Sequence, residues 1–349
     1  MVELSGKTLP QVFLEQSALR ADAVALREKD YGIWQRVTWR NYHDQVRYFS
    51  MGLRQLGFQR KDHLAILSEN CREWLYAALG GISLGGVVLG VYPTSPYPEV
   101  HYVVSHSDSI FVLCEDQEQT DKILEVIDDL PKLKKIIVKD MKGLRHYPQD
   151  HIIAFEEVIR LGRESAEKDP DRFVAEIDKG KAEDICIMIY TSGTTGPPKG
   201  AMVNHSNIEA MTRAAAAAMA ISDKDSVVSY LPLCHVAEQI FSLYLPLFYG
   251  IEVNFAESIA TIQNDLREIA PTVFLGVPRI WEKLQNSIVV SIQDSSWVKR
   301  KIFHGFMNVG YQVCDRRLAG DIVGFAQRLL FYIGYGLIFR ALQNYVGLR

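Results

Sequence analysis

Short apolar runs recur along the first 275 residues, each followed by a stretch with helical spacing. Residues 63–67 (HLAIL), 87–91 (VVLGV), 111–114, 136–138, 185–189 (ICIMI), 227–230, 251–255 and 273–275 read as buried strands. Helices are predicted over 74–84, from the loop 93–98 to about 104, near 123–129, over 208–220 with Ser206 as its cap, from the turn at 231–235 to Phe248, and over 262–270. At the start of the chain Thr8 and Gln11 make a capping box with Pro10 in the first turn. Residues 23–28 and 33–38 form a hairpin about Asp30, Tyr31 and Gly32. Thr38 then caps a helix carrying Tyr42, Val46, Phe49 and Leu53 on one face and ended by Gly57. The polar stretches 143–150 and 164–172 read as exposed loops or linkers. Strand and helix alternating this regularly predict an α/β fold, with mainly parallel sheets covered by helices on both faces.

The pattern changes at residue 286. No strand is predicted beyond it, and aromatic and aliphatic residues dominate. Residues 286–349 hold eight Lys or Arg against three Asp, a net +5 within a chain of net charge −4. Two readings stay open: a core helical hairpin with solvated arginines, or a peripheral membrane contact. Residues 329–339 are too short, and too closely flanked by Arg328 and Arg340, to span a bilayer.

Composition narrows the classes further. A chain of 349 residues with 48 % hydrophobic and 23 % charged residues is an ordinary globular chain with room for about two to three domains. Its slight negative charge excludes a general nucleic-acid-binding surface. Five Cys without a CxxC pair suggest reduced thiols and a cytoplasmic protein. The first residues, MVELSGKTLPQVF, lack the basic head and apolar core of a signal peptide.

The strongest chemical signal is YTSGTTGPPKG, residues 190–200. A Gly/Ser/Thr loop between two strands lets backbone N–H groups and hydroxyls converge on one anion, and Lys199 adds a point charge. A phosphate chain is the natural target. The stretch is not a Walker A loop, because Lys199 follows a proline and precedes Gly200.

This stretch resembles the phosphate-loop signature of the adenylate-forming enzymes, which include acyl-CoA synthetases, beetle luciferases and adenylation domains. LPLCHVAEQ (231–239) resembles the next motif of that family, and VPRIWEKL (277–284) the gate segment of its long-chain acyl-CoA synthetases. The resemblance implies the family's N-terminal domain and ATP-dependent conversion of a long-chain fatty acid, through an acyl-adenylate, to acyl-CoA. Its cofactors and substrates would be ATP, Mg2+, coenzyme A and the fatty acid. Thr191, Ser192, Gly193, Thr194, Thr195, Gly196, Lys199 and Gly200 would hold the nucleotide phosphates, with Thr191 also a magnesium ligand. His235 would sit beside the reacting carboxylate and phosphates. Its role would be positioning or electrostatic, since a fatty carboxylate is already ionised at neutral pH. Trp281 would gate the acyl path, and Gly276 would let the acyl chain pass close to the backbone.

The resemblance also sets expectations about extent. The whole chain would be an incomplete AMP-binding domain, subdivided near 1–175, 176–285 and 286–349. Counterparts of the family's adenine-binding Thr-Glu pair, ribose-binding aspartate, hinge and C-terminal domain are not found. The expected result is an N-terminal portion with little ligase activity alone, completed by a complementary C-terminal chain. Two alternatives remain: an acyl-AMP ligase that loads a carrier protein, and a non-catalytic fragment that binds lipid or nucleotide.

Overall fold

A computed structural model describes residues 6–147, 150–191 and 196–348. Its contacts divide the chain into two compact units, one ending at Ala256 and the other beginning at Glu257. This boundary coincides with neither of the subdivisions expected near residues 175 and 285.

The first unit opens with α1 (Leu9–Leu19). The Thr8 hydroxyl accepts from the Gln11 N–H, and the Gln11 side chain accepts from the Thr8 N–H. Strands β1 (Val24–Asp30) and β2 (Ile33–Thr38) form the expected hairpin, with positive φ at both Tyr31 and Gly32. Helix α2 (Trp39–Gln55) is capped by Thr38 and buries Tyr42, Val46, Phe49 and Leu53.

A run of alternating elements follows: β3 (His63–Leu67), α3 (Arg72–Ser83), β4 (Val87–Val91), α4 (Tyr97–His106), β5 (Ser109–Cys114), α5 (Gln117–Leu124) and β6 (Lys135–Val138). Then come β7 (Ile152–Ala154), α6 (Phe155–Lys168), α7 (Arg172–Ile177), β8 (Ile185–Thr191), β9 (Lys199–Asn204) and α8 (His205–Met219). The unit closes with β10 (Ser226–Ser229), α9 (Val236–Gln239), a π-helical turn over Ile240–Tyr244, α10 (Leu245–Tyr249) and β11 (Glu252–Phe255).

Two sheets result. The larger has the order β7-β6-β5-β3-β4-β8-β9, parallel throughout except for the β8–β9 hairpin. The smaller, β10-β11-β1-β2, is parallel except for the β1–β2 hairpin. Strands β4 and β5 are buried along their whole length, which is why their sequences are unbroken apolar runs instead of alternating ones.

Four sequence expectations need correction. Residues 164–172 are not a linker, because α6 runs to Lys168 and α7 starts at Arg172. Val158, Ile159, Gly162 and Ala166 form a buried stripe on α6, while Glu157, Arg160 and Glu164 pair with one another outside it. The helix expected near 123–129 starts earlier, where Asp116 accepts from the Gln119 N–H, and 127–129 is a single 3-10 turn. Helix α8 is capped by Asn204 in a capping box with Asn207, not by Ser206, whose hydroxyl donates to Ala182 O. Residues 273–275 form no strand; Val273 makes an isolated bridge and the rest is irregular.

The second unit is helical: α11 (Ile262–Ile269), α12 (Pro278–Gln293), α13 (Trp297–Leu318), α14 (Phe325–Gly334), a π-helical turn over Tyr335–Phe339, and α15 (Arg340–Val346). Helices α13 and α14 form a hairpin in which the Arg317 guanidinium lies 5.1 Å from the Phe331 ring centre. Helix α15 returns to α11, with Arg267 4.2 Å from the ring centre of Tyr345. The end of this hairpin is apolar and open, with Leu318, Ile322 and Phe325 each more than 80 % exposed. No helix among the described residues is long and apolar enough to cross a membrane.

The tightest helix crossing is that of α2 and α6. A Cβ on Gly52 would lie 2.1 Å from Val158 O, and one on Gly162 would lie 1.6 Å from Tyr48 O. Backbone cannot yield as a flexible side chain can, so Gly162→Ala has to push the helices apart. We expect it to cost about 2–3 kcal/mol in urea unfolding. A loss below half a kilocalorie would show that the crossing is looser than drawn.

Candidate active site

Strands β8 and β9 carry the phosphate-loop motif. Tyr190 pairs with Gly200, and Thr191 with Lys199. Ser192, Gly193, Thr194 and Thr195 lie outside the described residues. The far side of the loop turns at Gly196, whose φ of +90° is one that L side chains rarely adopt. Below the loop, a Cβ on Gly200 would lie 2.8 Å from Met188 Sδ and 3.3 Å from Tyr190 Cζ. Gly200 therefore leaves room for the Met188 side chain and the Tyr190 ring to pack against β9.

Helix α4 holds both ends of the loop. The Tyr190 hydroxyl is 2.8 Å from His106 Nδ1, and the Tyr102 hydroxyl donates to Pro198 O at 3.0 Å. The Tyr102 and His106 rings stack 5.3 Å apart, so one helix turn braces both strands of the hairpin. Sequence reasoning missed these two residues, because their partners lie 96 and 84 positions away.

The loop ends open into a cleft of about 360 Å³ at the carboxyl ends of β4 and β8. Open α/β sheets characteristically bind ligands at this end of their strands. Thr191, Pro198, Tyr92, Glu99, Cys234 and His235 are among the residues that line it. His235 caps α9, its Nδ1 accepting from the Ala237 N–H at 3.1 Å. With Nδ1 used as an acceptor, the ring hydrogen sits on Nε2, and that N–H suits an anionic oxygen. Cys234 packs against β4 where Gly90 leaves room: a Cβ there would lie 2.5 Å from Cys234 Cα. Burial pushes the Cys234 thiol and the Tyr190 phenol up to about 12, so both stay neutral beside the loop.

Lys199 is exposed across the hairpin from Thr191 and, among the described residues, has no ion-pair partner. Nor do the described residues contain a group of three or more His, Cys, Asp and Glu that could hold a metal ion. The cleft offers instead the Thr191 hydroxyl and the Glu99 carboxylate. That sparse donor set fits magnesium held largely by phosphate oxygens and water.

Gly276 and Trp281 lie together in the second unit. The Trp281 indole N–H donates to Gly276 O at 2.8 Å, and a Cβ on Gly276 would lie 2.4 Å from the indole nitrogen. The space that the missing side chain leaves is filled by this ring.

The pattern of the AMP-binding enzyme family matches residues 13–336. The chain belongs to that family. It is 32 % identical to the long-chain-fatty-acid–CoA ligase ACSBG2 of Xenopus laevis over all of this chain and 47 % of that protein. It is 33 % identical to the long-chain-fatty-acid–CoA ligase ACSBG1 of Rattus norvegicus over 96 % of this chain and 47 % of that one. The chain thus spans about half the length of the curated relatives it matches. Among solved structures, the long-chain-fatty-acid–CoA ligase FadD1 of Archaeoglobus fulgidus superposes with a TM-score of 0.68 at 16 % identity, over 84 % of this chain and 55 % of that one. The anthranilate CoA ligase AuaEII gives 0.66 at 23 % identity, over 78 % and 50 %. These identities show a shared fold, the α/β fold of the AMP-binding enzymes.

One AMP-binding-domain residue that the motifs did not single out is Glu238, one helical turn beyond His235. It is 1 % exposed and accepts from the Ser242 and Ser229 hydroxyls and from the Leu231 and Tyr230 amides. Burial outweighs these donors and raises its carboxyl from the ordinary 4.5 to about 7. The folded state therefore binds this proton more tightly than the unfolded chain does. Its stabilising effect is full below pH 4.5, is lost as pH rises to about 7, and changes no further above that. The span amounts to about 3 kcal/mol. Urea unfolding of Glu238→Gln is expected to lose this slope relative to the native chain between pH 4.5 and 7. Parallel pH profiles for the two proteins would contradict the assignment.

Proposed function

We propose that this chain holds the triphosphate and the reacting carboxylate in a long-chain fatty-acid–CoA ligase reaction. One observation carries the reading: both ends of the phosphate loop, Thr191 and Pro198, line a single cleft with His235. In the first half-reaction a fatty carboxylate oxygen attacks the α-phosphorus of ATP and pyrophosphate leaves. In the second, the thiol of coenzyme A attacks the acyl carbonyl of the adenylate and AMP leaves. Two anions meet in the first step, so the site must offset their repulsion before bonds change.

The chain's own groups suit that task. Lys199 and the loop donors hold the outer phosphates, and the Thr191 hydroxyl holds magnesium. When bound, that ion supplies charge neutralisation at the phosphate oxygens. The Nε2–H of His235 donates to an anionic oxygen and orients it; no proton has to be removed from a carboxylate ionised at neutral pH. In the second unit, Trp281 seated on Gly276 is the gate ring of the acyl path. The adenosine and coenzyme A contacts come from a complementary half, in keeping with the share of the relatives that this chain spans.

The test is pyrophosphate release from palmitate, ATP and magnesium, with and without a polypeptide supplying the other half of a relative. Release is expected only on complementation. Thr191→Ala, Lys199→Ala and His235→Ala should each lower kcat/KM by about ten- to a hundredfold. No release in either case would favour the non-catalytic fragment, and full activity in all three variants would remove the proposed site.

A further inference from the structure

His235 lies at the end of the segment that joins β10 to α9, and one side chain from outside makes two hydrogen bonds to that segment and a third to Ser229 at the end of β10. Asn70 follows β3 in the Ser68-Glu69-Asn70 turn. Its Nδ2 donates to Ser229 Oγ at 2.9 Å and to Leu231 O at 2.6 Å, and its Oδ1 accepts from the Leu233 N–H at 2.9 Å. Both amide donors and an acceptor are engaged, and the partners fix which end of the amide is which. Aspartate has no donor for Leu231 O, and serine cannot reach as many partners. Only a primary amide satisfies all three groups from this one position.

The turn that carries Asn70 is itself held. The Glu69 N–H donates to Glu115 Oε2 at 2.8 Å, and the Glu115 N–H donates to Leu67 O at 3.1 Å. On its other side the segment is gripped by Gln239, whose Nε2 donates to Leu233 O at 2.8 Å, with the Tyr244 hydroxyl donating in turn to Gln239 Oε1. The His235 N–H closes the turn onto Pro232 O at 2.9 Å. Ser229, which accepts from Asn70, also donates to Glu238, so the amide and the buried carboxyl share one chain of hydrogen bonds.

We infer that Asn70 is a positioning residue: it fixes the 229–233 segment so that the His235 ring faces the cleft. Resting on the ligase reading, Asn70 acts on the reacting groups through His235 without touching substrate. The sheet supplies the rigid base, and the amide transmits its position to a loop that crosses the strand ends.

The experiment uses the full chain with Asn70→Ala and Asn70→Asp. Amide hydrogen exchange, the His235 ring resonances and affinity for ATP–Mg2+ are measured on each. In Asn70→Ala the Leu233 amide should lose about tenfold in protection while the β5 amides keep theirs. The His235 resonances should shift or split, and ATP–Mg2+ affinity should fall about three- to tenfold. Asn70→Asp retains the acceptor, so Leu233 should stay protected, which gives a decisive result even if the alanine variant does not fold. Unchanged Leu233 and His235 signals in Asn70→Ala, equal loss of protection in β5, or an unprotected Leu233 in Asn70→Asp would each overturn the assignment. If the native chain shows no affinity for ATP–Mg2+, the ligase reading fails, while the exchange and His235 data still decide whether Asn70 positions the loop.

Discussion

The site depends on the parallel pairing of β4 with β8. Val88 lies beside Ile187 and Leu89 beside Met188. This short ladder joins a sheet built from residues 63–154 to the hairpin that carries the phosphate loop. Parallel strands end on the same side, so the pairing places the carboxyl ends of β4 and β8 next to each other and opens the cleft there. Gly90 and Gly200 then let neighbouring parts approach: the Cys234 backbone lies over β4, and the Tyr190 ring lies over β9. A side chain at either glycine would meet atoms already in place.

The electrostatics of the cleft follow from burial as much as from charge. A site for two anions is harmed by ionised thiols or phenols in its walls, and burial moves Cys234 and Tyr190 further from ionisation, up to about 12. His235, with Nδ1 engaged by the Ala237 N–H, leaves its Nε2 side to face the cleft. The buried Glu238 carboxyl sits one turn behind His235 among four donors, and its raised titration range weakens the negative charge it would otherwise place there. Among the described residues, Lys199, exposed on β9 opposite Thr191, is the cation nearest in sequence to the loop. The arrangement combines a polar lining that includes the Glu99 carboxylate with one exposed cation on the neighbouring strand β9.

Much of the fold was legible because burial on both faces writes itself as continuous apolar runs, as in β3, β4, β5 and β8. The α1 cap and the β1–β2 hairpin were legible because Thr8, Gln11, Tyr31 and Gly32 act through local chemistry. Helix α6 was not, since its charged outer face hides a buried stripe, Phe155, Val158, Ile159, Gly162 and Ala166, whose complement is α2. The site showed the same division. YTSGTTGPPKG and His235 could be read from order alone. Asn70, Tyr102 and His106 could not, because each acquires its role from a partner 84 to 163 residues away. The packing of Met188 and Tyr190 against Gly200, and of Trp281 against Gly276, was likewise not visible in the sequence.

The central claim is that the phosphate loop and His235 serve one ligand at the carboxyl ends of the parallel strands. Paramagnetic broadening tests it most directly, with Mn2+ replacing Mg2+ in the nucleotide complex of the full chain. Mn2+–ATP should broaden the resonances of Thr191, Lys199 and His235 and spare His63 and Gly85, which line a separate cleft at the amino ends of the strands. Broadening at His63 and Gly85, with His235 left sharp, would contradict the account.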